Sequence, residues 1–171
     1  MAQLTNSLIQ LSRIEEQPQV EKIIFPISDL ALETVDSFQT LAKAQSKNLS
    51  CCIAPMLSMN GDEKSIRQLI SILLDNALKY SDDGGAIEFS LKKQKNYIQL
   101  SVFNTAEFVS KDSLSHLFDR FYRADQSRNS STGGYGLGLS IANAIVSAHK
   151  GKIYAETQDE KSLKIVATFP I

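Results

Sequence analysis

Four of the eight glycines in this chain lie between positions 133 and 138, in the run GGYGLGLS (residues 133–140). A glycine-rich loop that leads directly into a helix exposes backbone N–H groups at the positive end of the helix dipole. Such a loop can bind phosphate groups. A flexible linker in front of a helix has the same composition, so the run on its own leaves both interpretations open.

The run does not match the common nucleotide-binding motifs. The chain contains no GxxxxGK[ST] sequence, which argues against a P-loop. Gly134, Gly136 and Gly138 are spaced GxGxG rather than GxGxxG, and no predicted strand comes directly before them, which argues against a dinucleotide-binding fold. The motif set of protein serine/threonine kinases is also absent.

A second group of candidate residues is the segment DNALKYS (residues 75–81), at the end of a predicted long helix. Asn76, Lys79 and Tyr80 are three and four residues apart, so they project from one side of that helix. An amide oxygen can ligate Mg²⁺, an ammonium group can pair with phosphate, and an aromatic ring can flank a base. The alternative is a polar helix end with Tyr80 packed in the core.

A third group is LFDRFYRAD (residues 117–125). Together with Arg128, its arginines Arg120 and Arg123 give local positive charge, and Phe118 and Phe121 are expected to anchor the hinge of a lid in the core. The alternative is an ordinary amphipathic helix with solvated arginines, which is favoured for Arg128. The polar, Gly- and Ser-rich residues 124–136 predict a mobile loop.

The elements that must position these groups follow from hydrophobic periodicity. Residues 4–14 predict an amphipathic helix, and an isolated helix of this kind often belongs to a larger helical unit. One further helix is predicted to be capped by Ser28 and another to start near Asp62, a short helix is predicted around Leu114–Phe121, and a last one ends at Lys150 and Gly151. Strands are predicted at residues 22–25, within 48–60, in a hairpin over 87–102, and around 153–155 and 163–169. The pattern predicts an α+β fold with about three core helices on a mixed or antiparallel sheet of about five strands.

Composition sets further bounds. The chain has 171 residues, 43% of them hydrophobic, and a net charge of −1, so it can bury a core and has no overall field that would attract nucleic acid or anionic lipid. It contains no membrane-spanning apolar run and no signal peptide, which predicts a soluble, non-secreted piece. Cys51 and Cys52 are expected to be buried strand residues in a reducing compartment.

The three motifs, in this order and followed by a strand pair, resemble the catalytic ATP-binding domain of bacterial sensor histidine kinases. DNALKYS is similar to that family's N box, LFDRFYRAD to its F box, and GGYGLGLSIANAIVSAHKG (residues 133–151) to its second glycine box. The resemblance covers residues 22–171 and implies a two-layer Bergerat-type fold, shared with gyrase-like and chaperone ATPases. The FYRAD stretch favours the histidine kinase branch. Residues 1–17 look like the end of the second dimerisation-domain helix, which leaves 18–171 as the catalytic domain.

The resemblance also implies roles for individual residues. Asn76 would hold Mg²⁺, Lys79 and Arg123 would contact phosphates, and the N–H groups of the glycine run would wrap the phosphates under a lid at residues 122–136, disordered without nucleotide. The implied catalytic residues are Asn76, Lys79 and Arg123. The implied cofactor-binding residues are Asn76, Lys79, Tyr80, Asn104, Ala106, Phe121, Arg123, Gly134, Gly136, Leu137 and Gly138. The implied cofactors are ATP and Mg²⁺.

The chain departs from the family after the hairpin, where Asp-x-Gly-x-Gly is usual and this sequence has NTAEF (residues 104–108). Asn104 can still accept a hydrogen bond from the adenine amino group, without the strength of a carboxylate. Ala106 and Phe108 replace glycines that let the backbone approach the nucleotide. Ile72 stands where the family often has a polar residue. These changes predict weakened or reshaped nucleotide binding.

His116 and His149 are the only histidines, and neither is followed by the acidic residue expected after the family's phosphoacceptor. Both are predicted to be packing or surface residues. The chain is therefore expected to donate the γ-phosphate of Mg·ATP to a histidine on a dimerisation domain that it lacks, within a two-component sensor kinase that passes phosphate to a response regulator.

The alternative is a degenerate module with weak or no ATP binding that regulates a partner kinase. An ATPase of the gyrase or chaperone branch fits less well, because the extra domains of those proteins are absent. We expect a monomer with no contact to nucleic acid or membrane, located in the cytoplasm as part of a membrane-anchored sensor.

Overall fold

Apolar residues recur at helical spacing in some segments and at every second position in others, and the chain folds accordingly. The computed structural model describes residues 2–16, 22–123 and 134–171. The helices are α1 (Ala2–Glu16), α2 (Ile27–Ala44), α3 (Glu63–Tyr80) and α4 (Gly138–Ala148), with a 3₁₀ helix at Lys111–His116. The strands are β1 (Ile23–Phe25), β2 (Asn48–Ile53), β3 (Met59–Gly61), β4 (Ala86–Lys93), β5 (Tyr97–Thr105), β6 (Lys152–Glu156) and β7 (Ser162–Pro170).

Five strands form one mixed sheet in the order β2-β4-β5-β7-β6. β2 pairs with β4 in parallel because α3 carries the chain back between them, and the other neighbours pair antiparallel. This confirms the predicted α+β class and the mixed sheet of about five strands. β5 is the central strand, so its C-terminal end, which contains Asn104, lies in the middle of the sheet.

One face of the sheet carries the core. Ile87, Phe89 and Leu91 of β4 are fully buried, and their register partners in β5 face the same side. The apolar stripes of α2, α3 and α4 cover this face, which makes the three core helices that the sequence predicts. Each large apolar side chain removed from water in this way contributes about 1.5–3 kcal/mol.

Ser28 is not the cap of α2, contrary to the sequence prediction. The helix begins at Ile27 after Pro26, whose ring fixes φ and removes an N–H that would have no helical partner. The Ser28 hydroxyl instead donates to the Ala54 carbonyl (2.6 Å) and accepts from the Leu57 N–H (2.9 Å). Ser28 therefore fastens the start of α2 to the segment between β2 and β3.

The predicted burial of Cys51 and Cys52 is wrong, since both side chains are exposed. They lie in β2, which is an edge strand with only β4 beside it, so the core layer covers it incompletely. Adjacent residues of a strand point to opposite faces of the sheet. The two thiols therefore project in opposite directions.

The helix predicted around Leu114–Phe121 is wrong in type and length. A 3₁₀ helix ends at His116 and turns follow it. The Ser113 hydroxyl donates to the Ser110 carbonyl (2.7 Å), and serine side chains that bond to nearby backbone favour tight turns over a regular helix. Phe118 still packs against the core, whereas Phe121 is 58% exposed, so the expected hinge anchor holds for Phe118 alone.

α1 packs against α4 through its apolar stripe. Leu11 is buried, and Leu4 and Ile14 are partly buried against the same cluster. Glu15 forms an ion pair with Arg120 within the predicted F box. In the described part of the chain, no helix combines the length and apolar character needed to cross a membrane.

Candidate functional site

The C-terminal end of α3 carries the first group of candidate residues. The helix starts near Asp62, as predicted, and Asp62 caps it with its Oδ1 accepting from the Lys64 N–H (3.2 Å). The buried side of α3 extends to Ala77, but Tyr80 is 49% exposed, which contradicts the alternative that packs its ring in the core. Because α3 ends at Tyr80, the ring lies at the rim of the packed layer and is accessible to a ligand.

Asn76 and Lys79 lie on the same last turns of α3. The Lys79 ammonium forms an ion pair with Asp75 Oδ2 (2.6 Å). Its positive charge, close to the helix C-terminus, also interacts favourably with the helix dipole. Asn76 is half-buried, and its amide makes no hydrogen bond within the described residues. An amide oxygen and a partly exposed ammonium group are thus both present at this end of α3.

The turn after α3 is held by a residue that sequence reasoning missed. The Lys47 ammonium donates to the backbone oxygens of Leu78 and Ser81, the latter at 2.9 Å. A lysine that satisfies the last carbonyls of a helix stabilises its end. No local pattern signals this contact, because β2 and β3 separate Lys47 from α3 in the sequence.

Two buried oxygens in the same turn have no hydrogen-bond partner among the described residues. They are the hydroxyl of Ser81 and Oδ1 of Asp82. Leaving a buried polar group unpaired costs about 1–3 kcal/mol, and such groups are rare in native proteins. The sequence predicted only a helix-terminating turn here.

The glycine run meets the F box directly. The Phe121 N–H donates to the Gly136 carbonyl (3.0 Å). Gly136 has φ +70°, and a Cβ at this position would lie 2.9 Å from the carbonyl carbon of Phe121 and the carbonyl oxygen of Tyr122. Glycine is therefore required here both for its conformation and for the close approach.

The glycine run leads directly into α4, as the sequence predicts. Leu137 is buried and precedes the helix, and Gly138 is its first residue. A Cβ on Gly138 would lie 3.6 Å from Ile72 Cγ2, so the N-terminus of α4 lies beside α3, one turn before Asn76. Ile72, at the position where a polar residue was expected, fills this helix contact.

Asn104 lies at the end of the central strand and is buried. Its Nδ2 donates to the Thr105 carbonyl (3.0 Å). Ala106 is also buried, and its N–H donates to the Lys161 carbonyl (2.9 Å). Phe108 is 69% exposed, so its bulk does not fill the space beside Asn104.

A cleft of about 380 Å³ lies between α1 and the glycine run. Polar side chains of α1 form one wall and backbone of the glycine run forms the other. The residues that line it are Gln3, Asn6, Ser7, Gln10, Gly134, Tyr135, Leu137 and Gly138. None of these residues is acidic, so the cleft carries no fixed negative charge of its own.

Most of the predicted lid, including Arg128 and residues 124–133, lies outside the described residues. Arg123 is described, is half-buried and already has an interaction of its own. Gly134 is exposed, and a Cβ there would meet nothing within 4 Å.

Of the two histidines, which were predicted to be packing or surface residues, one lies at the surface and the other is packed in the interior. His116 is exposed, with Nδ1 2.9 Å from Asp119 Oδ2. His149 is buried between α4 and the start of α3. No cluster of three or more His, Cys, Asp or Glu side chains that could bind a metal occurs within residues 2–16, 22–123 and 134–171.

The structure thus brings three predicted segments together around α3. The end of α3 carries Asn76, Lys79 and Tyr80, the N-terminus of α4 contacts α3 at Ile72, and α3 also packs against β5, whose last two residues are Asn104 and Thr105. Backbone N–H groups at a helix N-terminus, an ammonium group and an amide form a set that suits a polyphosphate.

Comparison with known proteins agrees with this arrangement. Residues 61–171 match the family described as histidine kinase-, DNA gyrase B-, and HSP90-like ATPase. The chain belongs to this family. Among its members, the relatives identify it as the ATP-binding catalytic domain of the sensor histidine kinase type.

Two curated relatives and one solved structure illustrate the similarity. The chain is 37% identical to the sensor protein DltS of Streptococcus agalactiae over 98% of its length, and 31% identical to the signal transduction histidine-protein kinase BaeS of Escherichia coli over its whole length. It spans only 42% and 37% of those two proteins. The crystal structure of full-length ShkA in complex with AMPPNP has the same fold, with a TM-score of 0.85 and 19% identity over 98% of this chain and 35% of ShkA.

Proposed function

We propose that this domain binds Mg·ATP between α3, β5 and the glycine run, and donates the γ-phosphate to a histidine of a dimerisation domain. The observation that carries the proposal is the contact of the α4 N-terminus with α3 at Ile72, one turn before Asn76, on a helix that also packs against β5. Phosphoryl transfer needs alignment and charge neutralisation more than covalent chemistry from the protein. The residues at this meeting point supply both.

Each predicted residue has a task in this proposal. The N–H groups of Gly136, Leu137 and Gly138 hold the phosphates, and Lys79 and Arg123 neutralise their charge. Tyr80 and Asn104 contact the base, together with Ala106, Phe121 and Gly134 at the edges of the site. Mg²⁺, when bound, neutralises the phosphates and aligns them, and the amide oxygen of Asn76 fits as its protein ligand because it is uncommitted in the described residues.

The wider context is proposed from the relatives. We infer that residues 1–17 are the end of the second dimerisation-domain helix and that residues 18–171 form the catalytic domain. The parent protein is then a cytoplasmic or membrane-anchored sensor kinase, and its phosphate passes to a response regulator. The catalytic domain itself acts in the cytoplasm as a monomer and needs no nucleic acid or membrane contact.

Titration of the chain with Mg·ATP tests the proposal. We expect saturable binding that Lys79→Ala weakens by about tenfold or more, because a charge-assisted hydrogen bond contributes about 1.5–3 kcal/mol. Asn76→Asp should weaken binding as well, because it places a negative charge beside the phosphates. Lys64→Ala is the matched control, since Lys64 is an exposed lysine at the opposite end of α3.

The alternative, a degenerate module that regulates a partner kinase, predicts the opposite result. No saturable binding at millimolar nucleotide would support it and contradict the proposal. If binding is present, a dimerisation-domain fragment and labelled ATP test the transfer step. Absence of label on the acceptor histidine, despite good ATP binding, would count against kinase activity.

A further inference from the structure

The α1 side of the cleft between α1 and the glycine run has no task in the proposed function. Asn6 and Ser7 line this cleft opposite Leu137 and Gly138, at the start of α4. The Asn6 amide is exposed, the Ser7 hydroxyl is half-buried, and neither makes a hydrogen bond within the described residues. The volume of about 380 Å³ lies in the range of ligand pockets. Both groups are therefore accessible to a molecule bound on the glycine run.

The cleft is connected to the nucleotide site through one face of α3. The Gln10 Nε2 of α1 donates to Gln68 Oε1 of α3 (2.8 Å). One turn further along α3, Ile72 Cγ2 lies 3.6 Å from the Cβ position of Gly138. Residues four apart lie on the same face of a helix, so Gln68, Ile72 and Asn76 form one row. This row contacts first α1, then the glycine run, and ends at the proposed magnesium ligand.

The order of these contacts gives the bound nucleotide a direction. The proposed function places the base beside Tyr80, at the C-terminal end of α3, and Mg²⁺ at Asn76. The glycine run, which holds the phosphates, meets α3 one turn nearer its N-terminus, and α1 meets it one turn nearer still. Because the phosphate chain extends away from the base, its terminal phosphate is the part of the nucleotide closest to α1.

We propose that Asn6 and Ser7 of α1 are substrate-binding residues, which donate hydrogen bonds to the terminal phosphate of the bound nucleotide. The Asn6 amide offers two N–H donors and the Ser7 hydroxyl offers one, and hydrogen bonds to a charged acceptor are the strong ones. None of the residues that line the cleft is acidic, so none repels a phosphate. The inference rests on the proposed function, because it assigns the phosphate end of the same nucleotide site.

The contacts of α1 hold these two side chains at the cleft. Leu11 is buried against the core, and Glu15 pairs with Arg120. Gln10, one turn after Asn6 on the same side of α1, is bonded to α3. Groups on a helix that is fixed at several points lose little freedom when they bind a ligand. α1 is therefore a fixed second wall of the phosphate site, opposite the N-terminus of α4.

The test compares the affinities for Mg·ATP and Mg·ADP, because only ATP carries the terminal phosphate. Calorimetric titration measures both in the wild-type chain and in its Asn6→Ala and Asn6→Asp variants. We expect Asn6→Ala to bind ATP about threefold to tenfold more weakly, as for the loss of one hydrogen bond. Asn6→Asp should lose about tenfold or more, because its carboxylate repels the phosphate. ADP affinity should change by less than about twofold in both variants, since ADP does not reach Asn6.

Ser12→Asp is the matched control, because it adds the same charge to the same helix. Ser12 is exposed, does not line the cleft, and lies about 120° around the helix axis from Asn6. We expect it to leave both affinities as in the wild type. The melting temperature of the nucleotide-free protein should not change in Asn6→Asp, because the side chain is exposed and Asn and Asp have similar helix propensities.

Three results would overturn the inference. They are an unchanged ATP affinity in Asn6→Asp, an equal loss of ATP and ADP binding in that variant, and an equally large loss of ATP binding in Ser12→Asp. Each of them leaves the proposed function intact as long as the wild-type chain binds ATP. A wild-type chain that binds neither nucleotide would instead contradict the proposed function itself.

Discussion

The ring of His149 joins the end of α4 to the start of α3. Its Nδ1 donates to the Ile145 carbonyl (2.8 Å), and its Nε2 accepts from the Asp62 N–H (3.0 Å). Burial lowers the pKa of His149 below its ordinary value of 6.5, against the opposing effects of the Ile145 carbonyl and the Asp62 carboxylate, while Lys22 lowers the pKa further. A protonated ring cannot accept from the Asp62 N–H, so the fold requires the neutral form.

This gives a pH dependence with a defined sign. Because the folded-state pKa lies below the unfolded one, the stabilisation is complete above about pH 6.5 and is lost as the pH falls from there through the folded-state pKa. Urea unfolding at pH 7.5 and 5.5 should show a lower midpoint at the acidic pH. His149→Phe should reduce this difference and cost about 1–3 kcal/mol at pH 7.5, because the Asp62 N–H loses its acceptor.

His116 provides the control for that measurement. It is exposed and its ion pair with Asp119 is local, so His116→Gln should leave the difference between the two midpoints as in the wild type. A His149→Phe variant with the full pH difference would contradict the assignment.

Whether the position of a residue could be predicted depends on how far its contact partners are from it in the sequence. The candidate positions Asn76, Lys79 and Gly138 could be predicted because their types and spacing are local. The contact of Lys47 with the end of α3, and the unpaired hydroxyl of Ser81, could not, since they depend on which segments fold against each other. Cys51 was predicted to be buried from its apolar neighbours, and only the strand order shows that it lies at an edge.

At the scale of elements, the junction between the glycine run and the F box depends on Gly136. Gly136→Ala adds a Cβ 2.9 Å from the backbone of residues 121 and 122 and forces an alanine to φ +70°. We expect a loss of about 1–3 kcal/mol in the free energy of unfolding, measured by urea denaturation. Gly134→Ala should change this free energy far less, because nothing lies within 4 Å of the added atom. Equal losses in the two variants would show that the close approach does not exist in solution.

Helices and strands were predicted correctly where the periodic pattern of apolar residues extends over many residues. α3 begins directly after Asp62, near which it was predicted to start, and the strand pairs of the main sheet lie where the alternation of apolar residues predicts them, because buried faces fix both. The segment from Leu114 was misread as a helix, since its serines bond to nearby backbone and tighten the turn. The start of α2 was assigned to Ser28 because a serine in front of an apolar helix face usually caps the helix. The hydrogen bonds of Ser28 to a segment distant in sequence could not be predicted from its neighbours.

At the scale of the whole molecule, α1 is attached by apolar burial more than by charge. Leu11 is 2% exposed, whereas the Glu15–Arg120 ion pair has side chains that are about half exposed. Leu11→Ala should therefore lower the free energy of unfolding by about 2–4 kcal/mol, and Glu15→Gln by less than about 1 kcal/mol. Urea denaturation of the two variants measures both. An unchanged stability in Leu11→Ala would show that α1 does not pack on α4 in solution.

The register of the central ladder has a consequence for how this molecule moves. Thr105 at the end of β5 pairs directly with Ser162 at the start of β7, and the chain between them forms β6 on the other side of β7. The 3₁₀ helix, the glycine run and α4 all lie between β5 and β6 in the chain, and the β5–β7 ladder is the longest in the described sheet. Local opening of the 3₁₀ helix or of α4 therefore needs no separation of β5 from β7, and amide exchange in these two strands can stay slow while either helix opens.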